Sequence, residues 1–160
     1  IPEVKDTQID LPINAFIPGT WISNREEKLD AYKNATNCNS NKELTELATD
    51  WNNRYGSIPK PVDTLLEIMR LKLMSRYCGI QRIKLVKPNI IMETRMESPA
   101  YKQIKEALPA SVQNKFTFQK NKEISKIIIR GLGMTDISNQ LLKLVEWFDL
   151  MSKVVDEITK

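Results

Sequence analysis

The residue types that most often carry catalysis are scarce in this chain. Its 160 residues contain no histidine, which is the commonest general base and the usual partner of a serine or cysteine nucleophile. Cys38 and Cys78 are the two cysteines and lie far apart in the sequence, so they cannot complete a four-ligand zinc site without histidine. We therefore expect no catalytic residue, no metal site and no enzymatic activity in this chain.

A pair of glycines gives a superficial match to a nucleotide-binding loop. Gly131-Leu132-Gly133 follows a predicted strand and precedes a predicted helix, but Asp136 stands where a dinucleotide loop has its third glycine. An acid there would repel a pyrophosphate, and a turn followed by a helix cap explains the same residues. Since no G-x-x-x-x-G-K-[ST] run occurs, we expect no cofactor in this chain, neither ATP nor Mg²⁺.

One group of carboxylates could recognise a basic partner. Glu43, Glu46 and Asp50 fall at i, i+3 and i+7 of a predicted helix, which places them on one face beside the buried residues. Asp50 can also form an ion pair with Arg54 one turn later. A solvated helix face and a protein-binding surface both remain open for these residues.

Positive charge is concentrated in the middle of the chain. Residues 81–130 contain 11 Lys and Arg against 4 Asp and Glu, a net charge of +7, whereas the whole chain carries +4. Solvated lysines that protect sheet edges explain such charge, and nucleic-acid binding through phosphate contacts is the alternative. The residues that would carry it are Lys84, Lys87, Arg95, Lys102, Lys105, Lys120 and Lys126. Phe116 and Phe118 could stack on bases if they are exposed.

Three helices are predicted between residues 23 and 79, after an extended arm or edge strand within residues 1–20. Ser23 or Asn24 can cap the first helix, and Asn41 can cap the second. The third runs from about Pro61 to Tyr77, because the prolines before it exclude helix and Gly79 ends it. We expect the following residues of the first two helices to face inward: Leu29, Tyr32, Leu44, Leu47, Ala48 and Trp51.

Beyond Gly79 the apolar pattern changes from the helical period to alternation. Strands are predicted around Ile83 to Leu85 and at 90–92, joined by a Lys87-Pro88-Asn89 turn, and again at 116–118 and 124–129. A short helix from Ser98 to Leu108 is inserted among them, and a long amphipathic helix follows a cap at Thr135 or Asp136. The sum is an α+β fold: an N-terminal three-helix region, a small antiparallel β-sheet with an inserted helix, and a long C-terminal helix. We expect residues 1–160 to form a single domain, divided into an arm at 1–20, a helical part at 23–79 and a sheet part at 80–160.

Composition indicates a globular protein of the cytoplasm. Apolar residues make up 41% and charged residues 28%, proportions typical of soluble domains. No signal peptide or membrane-spanning run is visible, and two cysteines are too few for a secreted disulfide framework. The chain begins at Ile1 rather than Met, which we interpret as a fragment of a larger protein.

Two motifs together resemble the C-terminal domain of bacterial transcription-repair coupling factors. The run from Asp50 to Lys72 resembles the family's E-L-x-D-R-F-G-x-L-P-x-P-V-x-x-L-L-x-x-x-R-L-K pattern, and Cys78-Gly79-Ile80 stands for its L-G-I. Upstream, Leu11-Pro12-Ile13-Asn14-Ala15-Phe16-Ile17-Pro18 resembles L-P-x-x-A-x-I-P. The resemblance covers about the first half of the chain.

The resemblance implies a regulatory role. The parent would be an ATP-dependent DNA translocase that displaces stalled RNA polymerase and recruits the excision-repair protein UvrA. This domain would pack on the parent's own N-terminal UvrA-binding module and hide it, with Glu46, Asp50, Asn53 and Arg54 at the interface. Asp50 keeps the first acid of the family pattern, whereas Asn53 replaces the second. A nucleic-acid-binding accessory domain and a structural cap on the motor are the alternatives.

Overall fold

The computed structural model describes residues 1–159, which form two compact units. One unit comprises Ile13–Leu73, and the other combines Ile1–Pro12 with the chain from Met74 onward. The first is helical and the second contains the sheet. Each is described here by itself.

The helical unit contains α1 (Arg25–Asn37), α2 (Asn41–Tyr55) and the greater part of α3 (Lys60–Tyr77). Asn24 caps α1, since its side chain accepts a hydrogen bond from the Glu27 amide. The predicted cap of α2 was one residue late, because Ser40 rather than Asn41 accepts from the Glu43 amide. Gly56 ends α2 with a φ of 88°, a backbone region that favours glycine. The helix starts and stops therefore follow from capping residues and glycine.

The core of the helical unit brings small and large side chains together. Leu44 and Trp51 of α2 are buried in it, as predicted, together with Val62 of α3. In α1 the buried residues are Ala31 and Ala35, whereas Leu29 is 51% exposed. The prediction that Leu29 faces inward was wrong, because α1 packs through its alanines and their small side chains permit a close approach.

The sheet unit contains five strands in the order β1-β2-β3-β5-β4. They are β1 (Gln8–Asp10), β2 (Ile80–Val86), β3 (Asn89–Thr94), β4 (Phe116–Gln119) and β5 (Ser125–Ile129). Four strands pair antiparallel, and β1 adds a parallel edge strand in which Ile9 pairs with Ile83. The extended arm or edge strand predicted within residues 1–20 thus contains a strand only at Gln8–Asp10. Asn89 belongs to β3, so the β2–β3 connection is one residue shorter than predicted.

Helices cover one face of this sheet. The unit contains α4 (Ser98–Lys105), the short α5 (Ala110–Gln113), a 3-10 turn at Leu132–Met134 and α6 (Ile137–Ile158). On the covered face Tyr101 of α4 stacks on Phe118 at 4.7 Å, and Phe116 meets the edge of Trp147 of α6 at 5.7 Å. The inserted helix ends at Lys105 instead of the predicted Leu108. Asp136 caps α6, as one of the two predicted alternatives.

These elements confirm the α+β fold and the long C-terminal helix. The six helices and five strands found in residues 1–159 combine a helical region with a mixed sheet. Within residues 1–159, none of the helices combines the length and the apolar character needed to cross a membrane. The fold leaves two surfaces of interest, the outer face of α2 and the ends of the sheet.

Candidate functional site

The outer face of α2 presents the four residues predicted to meet a partner. Glu46, Asp50, Asn53 and Arg54 are all exposed near the C-terminal half of this helix. Arg54 Nη1 lies 3.5 Å from Asp50 Oδ2, which is the i,i+4 ion pair expected from the sequence. We call these four residues the α2 face. It is polar, accessible and mixed in charge.

Glu43 does not belong to this face. Its backbone amide donates to Ser40 Oγ at 3.1 Å, and its carboxylate accepts from the Asn39 amide. The side chain therefore turns back over the helix start, where a carboxylate also complements the helix dipole. The acidic stripe predicted over Glu43, Glu46 and Asp50 is reduced to the last two.

Aromatic packing holds the end of α2 in place beneath the face. Trp51 is 1% exposed and lies edge-on to Trp21 with ring centroids 5.9 Å apart. Tyr55 packs against the same Trp21 ring at 5.4 Å, and the Arg54 guanidinium lies 5.2 Å from the Tyr55 ring centroid. Trp51 is thus a core residue, as predicted. Because the rings fix the backbone, the exposed side chains project from a rigid support.

A cleft between α1 and α2 extends the acidic character of this surface. Glu27 and Asp30 of α1 line it together with Arg54 and Tyr55, and the Tyr55 hydroxyl donates to Glu27 Oε2 at 3.4 Å. Neither α1 carboxylate was predicted at the site. In the sequence Glu27 is explained by the first turn of α1, and only the packing of α1 on α2 brings it near Arg54.

The predicted basic residues are divided among several places in the sheet unit. Lys84 Nζ lies 3.1 Å from Glu93, and Lys120 Nζ lies 2.7 Å from Glu97, so both are held in ion pairs. Lys105 lies over the Tyr101 ring at 5.8 Å. The remaining four are distributed over both ends of the sheet, α4 and β5: Lys87, Arg95, Lys102 and Lys126.

The two phenylalanines considered for base stacking point toward the helices. Phe116 packs on Trp147 and Phe118 on Tyr101, so both rings are part of the covered face. Lys115 and Arg130 were not among the predicted basic residues, yet both are exposed and lie at the same end of the sheet as Lys87. Strand register alone brings these three together, and no local sequence pattern indicates it.

Neither cysteine is activated as a nucleophile. Burial raises the pKa of the Cys78 thiol to about 12, and burial followed by the nearby Glu43 carboxylate raises the pKa of Cys38. Both shifts oppose the thiolate form that reacts. No group of three or more metal-ligating side chains is found within residues 1–159.

Comparison with known proteins identifies the family. The TRCF domain family model matches residues 11–106, which is more than half of the chain, and the chain belongs to this family. Transcription-repair-coupling factors of Mycobacterium bovis and Bacillus subtilis are 33% identical over 78 residues and 30% identical over 95 residues. These regions cover 49% and 59% of the chain but only 6% and 8% of those relatives.

A solved structure matches the whole fold. The crystal structure of a C-terminal domain of transcription-repair coupling factor superposes with a TM-score of 0.75 and 19% sequence identity. The match covers 95% of both chains, so it includes the sheet part that the family model does not reach. The chain thus has the fold of that C-terminal domain, and the predicted resemblance is confirmed.

Proposed function

We propose that this chain is the non-catalytic C-terminal regulatory domain of a transcription-repair coupling translocase. In this role it packs on the parent's N-terminal UvrA-binding module through the α2 face and hides that module until stalled RNA polymerase is engaged. The parent would carry ATP and Mg²⁺ in a motor elsewhere in its chain and would work on DNA in the cytoplasm. The observation that carries the proposal is the accessible α2 face on a chain of the TRCF domain family.

The chemistry of the α2 face suits a contact that must open again. Asp50 and Arg54 are 54% and 57% exposed, and an exposed i,i+4 pair contributes only about 0.3–0.5 kcal/mol. A basic group on the partner can therefore replace Arg54 beside Asp50 at little cost. A polar contact of this kind is weak by itself, but two modules of one chain meet at high effective concentration.

Hiding the module is a two-state equilibrium. This domain would bind the closed form, and polymerase engagement would favour the open form. Glu46 and Asp50 supply the negative charge for a basic partner surface, whereas Asn53 contributes hydrogen bonds where the family pattern has a second acid. We therefore expect the closed form to be held less strongly than in a relative with both acids.

The decisive experiment compares UvrA binding by the full-length parent and by a parent truncated before Ile1. We expect truncation to increase UvrA affinity, and Asp50→Lys in the full-length protein to increase it in the same direction. Asp149→Lys is a matched control, since Asp149 is 57% exposed and lies 3.6 Å from Lys153 at i,i+4 on α6. Equal affinity of the full-length and truncated proteins, with the truncated protein folded, would contradict the proposal.

Nucleic-acid binding by the basic region is the competing function. It predicts binding that falls steeply with salt and that does not respond to Asp50→Lys. The ion pairs of Lys84 and Lys120 with Glu93 and Glu97 reduce the charge available for phosphates. A structural cap on the motor predicts instead that truncation destabilises the parent without changing UvrA affinity. The same truncation and charge-reversal variants thus distinguish all three functions.

A further inference from the structure

A second exposed surface lies at the end of the sheet where β2 turns into β3. Val86 and Asn89 pair across that turn, and Lys87 between them is exposed. At the same end the Arg130 amide donates to the Lys115 carbonyl at 2.8 Å. Arg130 directly follows the last residue of β5, and Lys115 directly precedes the first residue of β4. Register thus places Lys87, Lys115 and Arg130 at the same end of the sheet. We call this end, with its three cations, the basic end.

The three cations of the basic end lack acidic partners. Among residues 1–159 no carboxylate forms an ion pair with Lys87, Lys115 or Arg130, whereas Arg82 of β2 pairs with Asp10. The Arg130 guanidinium donates to the Asn114 carbonyl, which orients it without neutralising it. The positive charge here is therefore available to a ligand.

Exposed apolar side chains lie beside these cations. Met134 is 67% exposed and Val86 is 44% exposed. Met134 ends the 3-10 turn that follows Gly131, and the Gly131 amide donates to Asn89 Oδ1 at 3.1 Å. The turn is thereby attached to the β2–β3 connection, so Met134 and Val86 lie at the basic end together with the cations.

Close backbone packing makes this arrangement rigid. A Cβ atom at Gly133 would lie 2.8 Å from the Asn89 carbonyl oxygen and 2.7 Å from Leu85 Cδ1, so only glycine permits the observed approach. Gln140, which is 2% exposed, donates to the Thr135 carbonyl at 2.8 Å and supports the turn from α6. Met134 is thus presented to solvent from a fixed backbone, so covering its side chain requires little ordering of the main chain.

We infer that the basic end docks an acidic protein segment that carries an aliphatic side chain. Its carboxylates would meet Lys87, Lys115 and Arg130, and its aliphatic group would cover Met134 and Val86. Charge complementarity favours an acidic ligand, and methionine adapts well to apolar partners. A single-stranded nucleic acid fits less well, because Phe116 and Phe118 pack against the helices and are not available for base stacking.

This surface is independent of the α2 face. The α2 face lies within Ile13–Leu73, and the basic end lies in the other compact unit. A negative result in the UvrA experiment would therefore not contradict binding at the basic end, and a negative result at the basic end would not contradict the proposed role of the α2 face.

Binding of three synthetic peptides by the 160-residue chain tests the inference. A C-terminal domain of nearly the same extent has been crystallised as such, so the chain is suitable material for fluorescence anisotropy. The first peptide combines Asp and Glu with two leucines, the second replaces both leucines by serine, and the third replaces the acids by Asn and Gln. We expect only the first to bind well.

Variants then separate the two parts of the surface. We expect the triple variant K87A/K115A/R130A to weaken binding of the first peptide about tenfold or more. The control K33A/K42A/K122A loses the same charge from exposed positions elsewhere and should change binding less than about twofold. Met134→Ser should weaken binding of the leucine peptide about fivefold and leave the serine peptide unchanged.

Three results would overturn the inference. The first is equal binding of all three peptides, or no measurable binding of any. The second is an equal loss in the two triple variants, which would indicate nonspecific charge attraction. The third is tighter binding of a DNA oligonucleotide than of the acidic peptide, with the DNA affinity reduced by K87A/K115A/R130A and unchanged by Met134→Ser. This result would mean that the basic end binds phosphate groups.

Discussion

Cys78 shows how burial of one side chain affects the stability of the sheet unit. It is fully buried, and its Sγ lies 3.7 Å from Ser152 Oγ. Burial raises the pKa of its thiol from 9.0 to about 12. The unfolded chain therefore loses this proton near pH 9 while the folded chain retains it. The stabilising effect of the neutral thiol is complete below pH 9 and is lost as pH rises from 9 toward 12.

The expected result is an alkaline loss of stability that depends on Cys78. Well above pH 9 its contribution to the unfolding free energy should fall by about 1.4 kcal/mol per pH unit. Urea unfolding at about pH 8 and about pH 10.5 measures this fall, and it should be shallower in Cys78→Ala than in the parent chain. Cys38→Ala is the control: the pKa of the Cys38 thiol is also raised, but this residue is only partly buried, so its removal should change the slope less than removal of Cys78. Burial raises the pKa of Tyr101 to about 12 as well, but Tyr101 is present in all three proteins. Parallel declines in all of them would contradict the assignment to Cys78.

At the scale of elements, two neighbouring residues at the start of α2, Ser40 and Asn41, could each cap the helix, and only one does so in the structure. Ser40 Oγ accepts from the Glu43 amide, whereas Asn41 Oδ1 is buried with no hydrogen-bond partner among the described residues. Loss of a serine cap costs about 1 kcal/mol. Replacing Asn41 by alanine removes a buried acceptor that has no partner, so no hydrogen bond is lost. We therefore expect Ser40→Ala to destabilise the chain by about 1 kcal/mol and Asn41→Ala to have a smaller effect.

Thermal unfolding of the two variants checks this expectation. In a chain of this size about 1 kcal/mol corresponds to a decrease in Tm of about 2–4 °C. Thr45→Ala provides a control within α2, because Thr45 is exposed and its hydroxyl bonds only to the Asn41 carbonyl of its own helix. A larger decrease for Asn41→Ala than for Ser40→Ala would assign the cap to Asn41 after all.

The elements that the sequence predicts well are those defined by local spacing. The apolar period of α6, the prolines before α3 and the short apolar run in β3 are properties of neighbouring residues, and each yielded an element close to the observed one. The parallel pairing of β1 with β2 joins residues such as Gln8 and Arg82 that are distant in sequence. No periodicity within either strand specifies such a pairing.

The same distinction applies to the candidate site. Asp50 and Arg54 were found together because an i,i+4 pair is local and the family motif includes both. Glu27 lies in this region only because α1 packs on α2 through Ala31 and Ala35. The sequence did not indicate this face, because Leu29 is larger and more apolar and was therefore predicted to be the buried residue. Lys115 and Arg130 were missed for the same reason, since strand register alone brings them to the same end of the sheet as Lys87. Local patterns thus predict elements, and packing determines which side chains meet.

At the scale of the whole protein, the proposed closed state should weaken with salt. The α2 face would hold the UvrA-binding module through exposed charges, and ions screen such charges over a Debye length of roughly 10 Å at 0.1 M. Raising the salt concentration from about 50 mM to about 500 mM should therefore favour the open form. Binding of UvrA itself also changes with salt, so the measured quantity is the ratio of its affinities for the truncated and full-length parents. We expect this ratio to fall toward one as salt increases, and to be near one at every salt concentration in full-length Asp50→Lys. A ratio that stays high in strong salt would mean that apolar contacts hold the closed state, and the polar α2 face would then not be its main interface.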